Sequence, residues 1–251
     1  MPTVDLEGRE IAAAIFDTDG VVTDTASVHA AAWKDVFDGY LQERQRRGEG
    51  PAQEFTSHDY LEHVDGVGRY DGVRRFLASR GIELEEGDPD DGPDRETVCG
   101  IGNRKNEQFL RRLRRDGAPA YDGTVALLRW LRSRGIPTAV ISASRNAAEV
   151  LASAGVADLF DARVDGVQAQ GLGLPGKPDP AVFLEAADRL GVRPAWAMIA
   201  EDAQSGVRAG RDGGFGLVVG VDRGAQREQL LAHGADVVVD DLAELLGGQR
   251  P

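Results

Sequence analysis

The stretch Ile15-Phe16-Asp17-Thr18-Asp19-Gly20-Val21-Val22-Thr23-Asp24 sets two carboxylates two residues apart, after an apolar run and directly before a glycine. The run from Ile11 to Phe16 is continuously apolar, the pattern of a parallel strand covered on both faces, so it predicts delivery of Asp17 to the carboxyl edge of a sheet. Ligands of open α/β sheets bind at that edge. Gly20 can turn the chain without a Cβ penalty, which lets Asp19 fold back toward Asp17.

One carboxylate of such a pair can attack phosphorus while its neighbour moves the proton of the attacking or leaving hydroxyl. Two anions facing an anionic phosphate repel one another, so the arrangement calls for a divalent cation and a nearby lysine or arginine. Asp-x-Asp-Gly also occurs in calcium loops and ordinary turns, and the rest of the chain has to decide between these readings. Three later segments favour phosphoryl chemistry. The apolar run Thr138 to Ile141 is followed by Ser142-Ala143-Ser144-Arg145-Asn146, polar residues able to open a helix whose backbone amides favour anions. Then come Gly176-Lys177-Pro178, and last Met198-Ile199-Ala200-Glu201-Asp202, an apolar strand ending in carboxylates.

In this order and spacing the four segments resemble the signature motifs of the haloacid dehalogenase superfamily, and the match extends into its β-phosphoglucomutase family, covering about Ile11 to Leu246. The resemblance implies that Asp17 is the nucleophile, Asp19 the general acid/base, and Ser142, Ala143 and Lys177 the phosphate-binding residues. It also implies a Mg²⁺ site made by the Asp17 and Glu201 carboxylates, Asp202 and the Asp19 backbone carbonyl. An all-oxygen shell suits that hard cation, which takes only one or two carboxylates from many proteins and shares the rest with water and phosphate.

Strand-like runs recur at residues 11–16, 138–141, 195–200, 215–221 and 236–239, most of them separated by helical patterns. The fold class expected is therefore α/β, a doubly wound Rossmann-like parallel sheet with helices on both faces. Between Thr25 and about Asp116 no strand run occurs, and helical periodicity shows at 28–41, 73–77 and 107–113. This reads as an α-helical cap domain of residues 25–116 inserted into a core of residues 1–24 and 117–251. The charged, Gly- and Pro-rich stretches 44–56 and 83–95 are expected to be loops, and the tail from Gly247 to Pro251 to fray.

Within the cap, Thr25-Ala26 with His29 and Trp33, Gly66-Val67-Gly68-Arg69, and Arg104-Lys105-Asn106 resemble the mutase's hinge region, distal-phosphate loop and cap lysine region. The resemblance gives Thr25, His29, Arg69, Lys105, Ser144, Arg145 and Asn146 substrate-binding roles, with Arg69 gripping the distal phosphate bidentately. From the residues alone, Thr25 is sufficiently explained as a helix N-cap, His29 as a packed residue, and Arg69 as a partner of Asp65 or Asp71. Of three departures from the family pattern, the first is neutral and the other two bear on the sugar more than on the chemistry. Thr18 is polar where many relatives are apolar, Arg145 replaces a common lysine, and residues 44–56 form an extension.

The activity implied is interconversion of β-glucose 1-phosphate and glucose 6-phosphate through an aspartyl-phosphate enzyme and a β-glucose 1,6-bisphosphate, with the β-anomer supplied by a phosphorylase acting on a disaccharide. The alternative is a Mg²⁺-dependent sugar-phosphate phosphatase on the same scaffold. A 2-haloacid dehalogenase would need neither the second acid nor a metal, and a binding module would not need all four motifs.

Composition is compatible with these readings. A chain of 251 residues can bury about 70% of its extended surface, and 41% hydrophobic content is ordinary. The net charge of −13 argues against a nucleic-acid partner and concentrates the interest in local cations such as Lys177, Arg145, Arg69 and Lys105. The run Arg111-Arg112-Leu113-Arg114-Arg115 reads as the solvated end of a helix, where cations complement the dipole. A lone cysteine, Cys99, cannot form an internal disulfide. With no long apolar run and no basic, apolar start, the expectation is a cytoplasmic monomer acting on a small sugar phosphate, away from membranes.

Overall fold

The computed structural model describes Met1–Gly247. The expectation for the tail beyond Gly247 lies outside the described residues. The chain divides into two compact units, one made of Met1–Asp24 and the chain from Ala118 onward, the other of Thr25–Gly117.

The first unit opens with an antiparallel hairpin, β1 (Val4–Leu6) and β2 (Arg9–Ile11). Its turn residues Glu7 and Gly8 both have positive φ, 53° and 74°, the backbone of the tight turn that matches the twist of paired strands. This corrects the reading of residues 11–16 as one strand. Ile11 ends the hairpin, and the central strand β3 is Ala13–Asp17.

In the inserted unit the chain forms α1 (Ala26–Arg46), α2 (Ser57–Asp59), α3 (Arg69–Ser79) and α4 (Val98–Asp116). A π-helical turn, Tyr60–Val64, continues α2. The stretch 44–56 is thus a loop only from its fourth residue on, because α1 runs to Arg46 and is capped at Arg47. Thr56 and Asp59 make a reciprocal capping box that starts α2, a signal present in the sequence but hidden by the surrounding charge. The unit's own core is aromatic. Phe37 stacks near Phe76 at 4.1 Å and Trp33 at 4.9 Å between ring centroids, with Phe55 at 5.2 Å, and all four are buried.

After α5 (Asp122–Ser133) the first unit continues through β4 (Thr138–Ile141), α6 (Ala147–Ser153), β5 (Ala162–Val164), α7 (Gly166–Leu172), α8 (Ala181–Arg189), β6 (Ala197–Glu201), α9 (Gln204–Asp212), β7 (Leu217–Val221), α10 (Arg227–Ala232) and β8 (Val237–Val239). Strand β5 escapes sequence reading because it is three residues long with Arg163 at its centre. The six strands from β3 to β8 lie in the order β5-β4-β3-β6-β7-β8, all parallel. Strand order reverses beside β3, which makes its carboxyl end the switch point where such sheets bind ligands. The apolar run is explained by burial on both sides: Ala14 and Phe16 pack with Leu127, Leu128 and Leu131 of α5, whereas Ala13 and Ile15 pack with Val182 and Phe183 of α8 and Val207 of α9.

The two places where the inserted unit joins run side by side in the core. The Asp24 N–H donates to the Pro119 carbonyl at 2.9 Å, and Thr23 bridges Ala120. Among the described residues, no helix is long and apolar enough to cross a membrane. Because the inserted unit carries its own core, truncating Phe37 to alanine should cost about 3 to 5 kcal/mol. Native-state hydrogen exchange should show the loss of protection concentrated in α1 and α3, with β3, β4 and β6 retaining theirs. Equal loss in the sheet would mean that the units do not open separately.

Candidate active site

At the carboxyl edge the sheet brings three segments together. Asp17 ends β3, Ser142 follows β4, and Glu201 ends β6 with Asp202 next; the register pairs Asp17 with Ile141 and Phe16 with Ala200. Lys177 comes from the loop between α7 and α8, just ahead of a cis Lys177–Pro178 peptide. Its ammonium is 2.5 Å from Asp17 Oδ1 and also bonds Glu201 Oε1. A solvated surface lysine is thereby ruled out, since Lys177 is 5% exposed. Such a buried cation is tolerable only because two carboxylates accept its protons.

The nucleophile loop is held from several sides. The Asp19 N–H donates to Asp17 Oδ2 at 2.9 Å, the fold-back anticipated from Gly20. Thr18 points its hydroxyl at the Ile141 carbonyl, 2.8 Å away, and its own carbonyl accepts from Val22, Thr23 and the Thr23 hydroxyl. The polar residue between the two acids therefore ties the loop to β4. Gly20 has a φ of 82°, and a Cβ there would fall 1.7 Å from Asp202 Oδ2, so glycine is required both for the turn and for the carboxylate's place. Sequence reading found only the first reason. It missed Gly206 in α9, where a Cβ would lie 2.0 Å from the Glu201 carboxylate carbon. The only signal was a glycine at a fixed distance after the acidic pair.

Oxygens of Asp17, Glu201 and Asp202 lie within 4.8 Å of one another, and all three residues are buried. Three carboxylates with hard oxygen donors, crowded and served by one lysine, suit a divalent cation such as Mg²⁺. Burial, with Glu201 and Asp19 adding repulsion, holds the Asp17 carboxyl well above the usual carboxylate range despite Lys177. Burial works against the Lys177 ammonium, but Asp17 and Glu201 outweigh it and raise its pKa above that of an ordinary lysine. Beside the acids, the Ser144 N–H donates to Ser142 Oγ at 3.0 Å and the Asn146 N–H to Ser144 Oγ at 3.1 Å, so the segment curls into turns before α6. Ala143 is half-buried and Arg145 exposed.

In the inserted unit, the structure brings His29 and Lys105 together at 2.5 Å between Nδ1 and Nζ. His29 stacks on Phe109 at 4.0 Å, and the Lys105 ammonium lies 5.0 Å from the Trp33 ring centroid and 5.1 Å from that of Phe109. Lys105 is a buried, aromatic-lined cation. Arg69 opens α3 with its guanidinium over the Tyr70 ring at 5.3 Å. Its stem passes Gly102 of α4, three residues before Lys105 and so on the same helical face. Asp71, one of its anticipated partners, pairs with Arg74 instead. Thr25 is the N-cap residue of α1, as read from the sequence, though without a side-chain cap bond; its carbonyl accepts the His29 N–H at 2.8 Å. Cys99 is buried in α4, which pushes its thiol pKa up.

An aspartate clamped by lysine at the switch point of a doubly wound sheet, bonded by the backbone N–H of a second acid and grouped with two further carboxylates, suits an enzyme of phosphoryl transfer. A sequence model of the haloacid dehalogenase-like hydrolases matches residues 11–214. A β-phosphoglucomutase of Mycobacterium tuberculosis is 50% identical over 242 residues, 95% of this chain and 92% of that one. A β-phosphoglucomutase of Bacillus subtilis is 31% identical over 233 residues, 93% and 91% of the two chains. The crystal structure of a Clostridium difficile β-phosphoglucomutase matches with a TM-score of 0.74 at 27% identity, covering 94% of this chain and 93% of that one. The chain belongs to the haloacid dehalogenase superfamily and, within it, to the β-phosphoglucomutase family.

The lysine clamp makes a stability prediction for metal-free protein. Lys177→Met leaves Asp17 and Glu201 buried without their cation and should cost about 3 to 5 kcal/mol at neutral pH. With the Asp17 carboxyl, already raised by burial, losing its cation in the folded variant, the folded state binds more protons than the unfolded chain, so stability falls as pH rises above about 4. Urea midpoints in EDTA should therefore show the Lys177→Met deficit shrinking toward acid pH. A deficit independent of pH would remove the clamp as its cause.

Proposed function

We propose that the chain is a Mg²⁺-dependent β-phosphoglucomutase, interconverting β-D-glucose 1-phosphate and D-glucose 6-phosphate through an aspartyl-phosphate enzyme and β-glucose 1,6-bisphosphate. The chemistry is supported by the Asp17 carboxylate, fixed by Lys177 at one oxygen and by the Asp19 N–H at the other. The sugar is supported by half-identity to a β-phosphoglucomutase over nearly the whole of both chains. We read the protein as a cytoplasmic monomer with a small sugar phosphate as its partner.

In this reading phospho-Asp17 gives its phosphoryl group to a hydroxyl of the sugar phosphate, and Asp19 takes the hydroxyl proton. The bisphosphate then turns over. Asp17 attacks the other phosphorus, the bond from that phosphorus to the sugar oxygen breaks, and Asp19 returns the proton to the departing oxygen. Lys177, Ser142 and the Ala143 backbone hold the oxygens of the moving group, whose charge grows where fixed donors already point. Asp17, Glu201, Asp202 and the Asp19 carbonyl would hold Mg²⁺, which when bound supplies charge neutralisation between acids and phosphate. Arg69 is assigned to the second phosphate, and Thr25, His29, Lys105, Ser144, Arg145 and Asn146 to the sugar and its substituents.

The roles of the two aspartates separate by mutation. Asp17→Asn should abolish turnover in a folded protein, since the amide is a poor nucleophile of nearly the same shape. Asp19→Ala should slow turnover by roughly 10² to 10⁴ while leaving Mg²⁺-induced thermal stabilisation nearly unchanged. Loss of only a few fold would assign the proton to water or another group. Chelation by EDTA should silence the wild type until Mg²⁺ is restored, whereas metal-independent turnover would point to dehalogenase-type chemistry.

The mutase is distinguished from a sugar-phosphate phosphatase by its products. Wild-type protein should form glucose 6-phosphate far faster than inorganic phosphate, after a lag that added bisphosphate abolishes. Arg69→Ala should reduce the mutase rate by the equivalent of about 2 to 5 kcal/mol, the usual cost of truncating a charged hydrogen bond. Hydrolysis of acetyl phosphate, which has no second phosphate, should survive. Inorganic phosphate as the main product, with Arg69→Ala affecting both reactions alike, would make the enzyme a phosphatase.

A further inference from the structure

The loop between β7 and α10, residues 222–226, carries no signature motif, yet it reaches both acidic loops of the site. Arg223 Nε donates to the Gly20 carbonyl at 2.8 Å, and its Nη1 donates to the Asp240 carbonyl at 3.1 Å. The guanidinium carbon lies over the Tyr121 ring, 3.6 Å from its centroid. Three residues on, Gln226 Nε2 donates to the Asp202 carbonyl at 3.1 Å, while its Oε1 accepts from Gln204 at 3.3 Å. Gln226 is 8% exposed, so its amide faces the site's underside and not solvent.

The loop is itself stiffened. Asp222 Oδ1 accepts the N–H groups of Gly224 and Gln226, and Ala225 takes a φ of 56°, a left-handed conformation that a residue with a Cβ adopts at a cost. One further donor of Arg223, Nη2, is buried without an acceptor among the described residues. A buried donor left unbonded opposes folding. Stability alone therefore gives a poor account of this arginine, whereas its grip on Gly20 gives a direct one. Gly20 lies between Asp19 and the Asp202 carboxylate, in contact with the latter, so a shift of its peptide moves one acid against the other.

We propose that residues 222–226 position the site, with Arg223 fixing the Gly20 peptide and Gln226 the Asp202 peptide, so that the two acidic loops keep the spacing that metal binding and phosphoryl transfer require. This rests on the roles given above to Asp19 and Asp202. Arg223 and Gln226 touch neither reacting atom; they act through the backbone of the residues that do. Partners one layer behind a metal's ligands typically change metal affinity or activity by about 10- to 100-fold when removed.

The test uses the full chain with Arg223→Gln and Gln226→Met, read in two ways. In thermal shift titrations with MgCl₂ alone, the concentration giving half of the stabilisation should rise by about tenfold or more in Arg223→Gln. In turnover of β-glucose 1-phosphate at saturating Mg²⁺, kcat should fall with little change in KM. Gln226→Met should move both readouts in the same direction and carries the test if Arg223→Gln does not fold. Variants that only melt lower, with the Mg²⁺ midpoint and kcat of wild type, would overturn the inference and leave the loop a structural one. A wild-type protein without phosphoryl-transfer activity would instead overturn the proposed function, and the Mg²⁺ midpoints would still decide the role of the loop.

Discussion

Everything at the carboxyl edge of the sheet depends on one crowding problem: several carboxylates share a space from which water is largely excluded. Asp17, Glu201 and Asp202 lie within reach of a single ion, and Lys177 is the cation that the protein itself supplies between two of them. Repulsion among such groups is strong where the dielectric is low. The surrounding features serve to hold that repulsion in place. Two glycines give the carboxylates room, an N–H orients the nucleophile, and Thr18 anchors the turn to the neighbouring strand. A site arranged in this way is poised for a cation and an anionic group together, because each neutralises what the other leaves.

The inserted unit poses a similar problem on a smaller scale. Lys105 is buried on α4, where the rings of Trp33 and Phe109 line its ammonium and His29 bonds it. Aromatic faces attract a cation without cancelling its charge. Lys105 is thus in contact with ring faces, whereas Lys177 is clamped by two acids. Arg69 adds a second positive group along the same face of α4.

Much of this was legible in the chain. The central strands announced themselves because burial on both faces demands unbroken apolar runs, and the acidic residues at their ends marked the edge where ligands bind. Elements that follow weaker rules were not legible. The hairpin of β1 and β2 depends on a two-residue Glu7-Gly8 turn, β5 is short with a charged centre, and α2 starts from a capping box inside a polar stretch. Within the site, the meeting of Asp17, Lys177, Glu201 and Asp202 was legible, but the backbone contacts were not. The need for Gly206 arises from a carboxylate five positions earlier that only the fold brings back, and Arg223 reaches Gly20 across 203 residues. The second of these pairings has no local pattern, since it is fixed by strand order and not by sequence spacing.

The way the chain leaves and re-enters the core bears on how such proteins diversify. Asp24 and Pro119 are joined by a backbone hydrogen bond, and Thr23 bridges Ala120, so the two crossings are neighbours anchored on the core side. Strand β3 precedes the inserted segment, and its partners β4 and β6 follow it. A segment attached in this way is a removable cassette: it can be lengthened, recombined or replaced without disturbing the strands that carry the acids. Changes confined to the inserted segment can then accumulate while the strands that carry the acids stay fixed, so that two parts of one chain evolve on separate schedules.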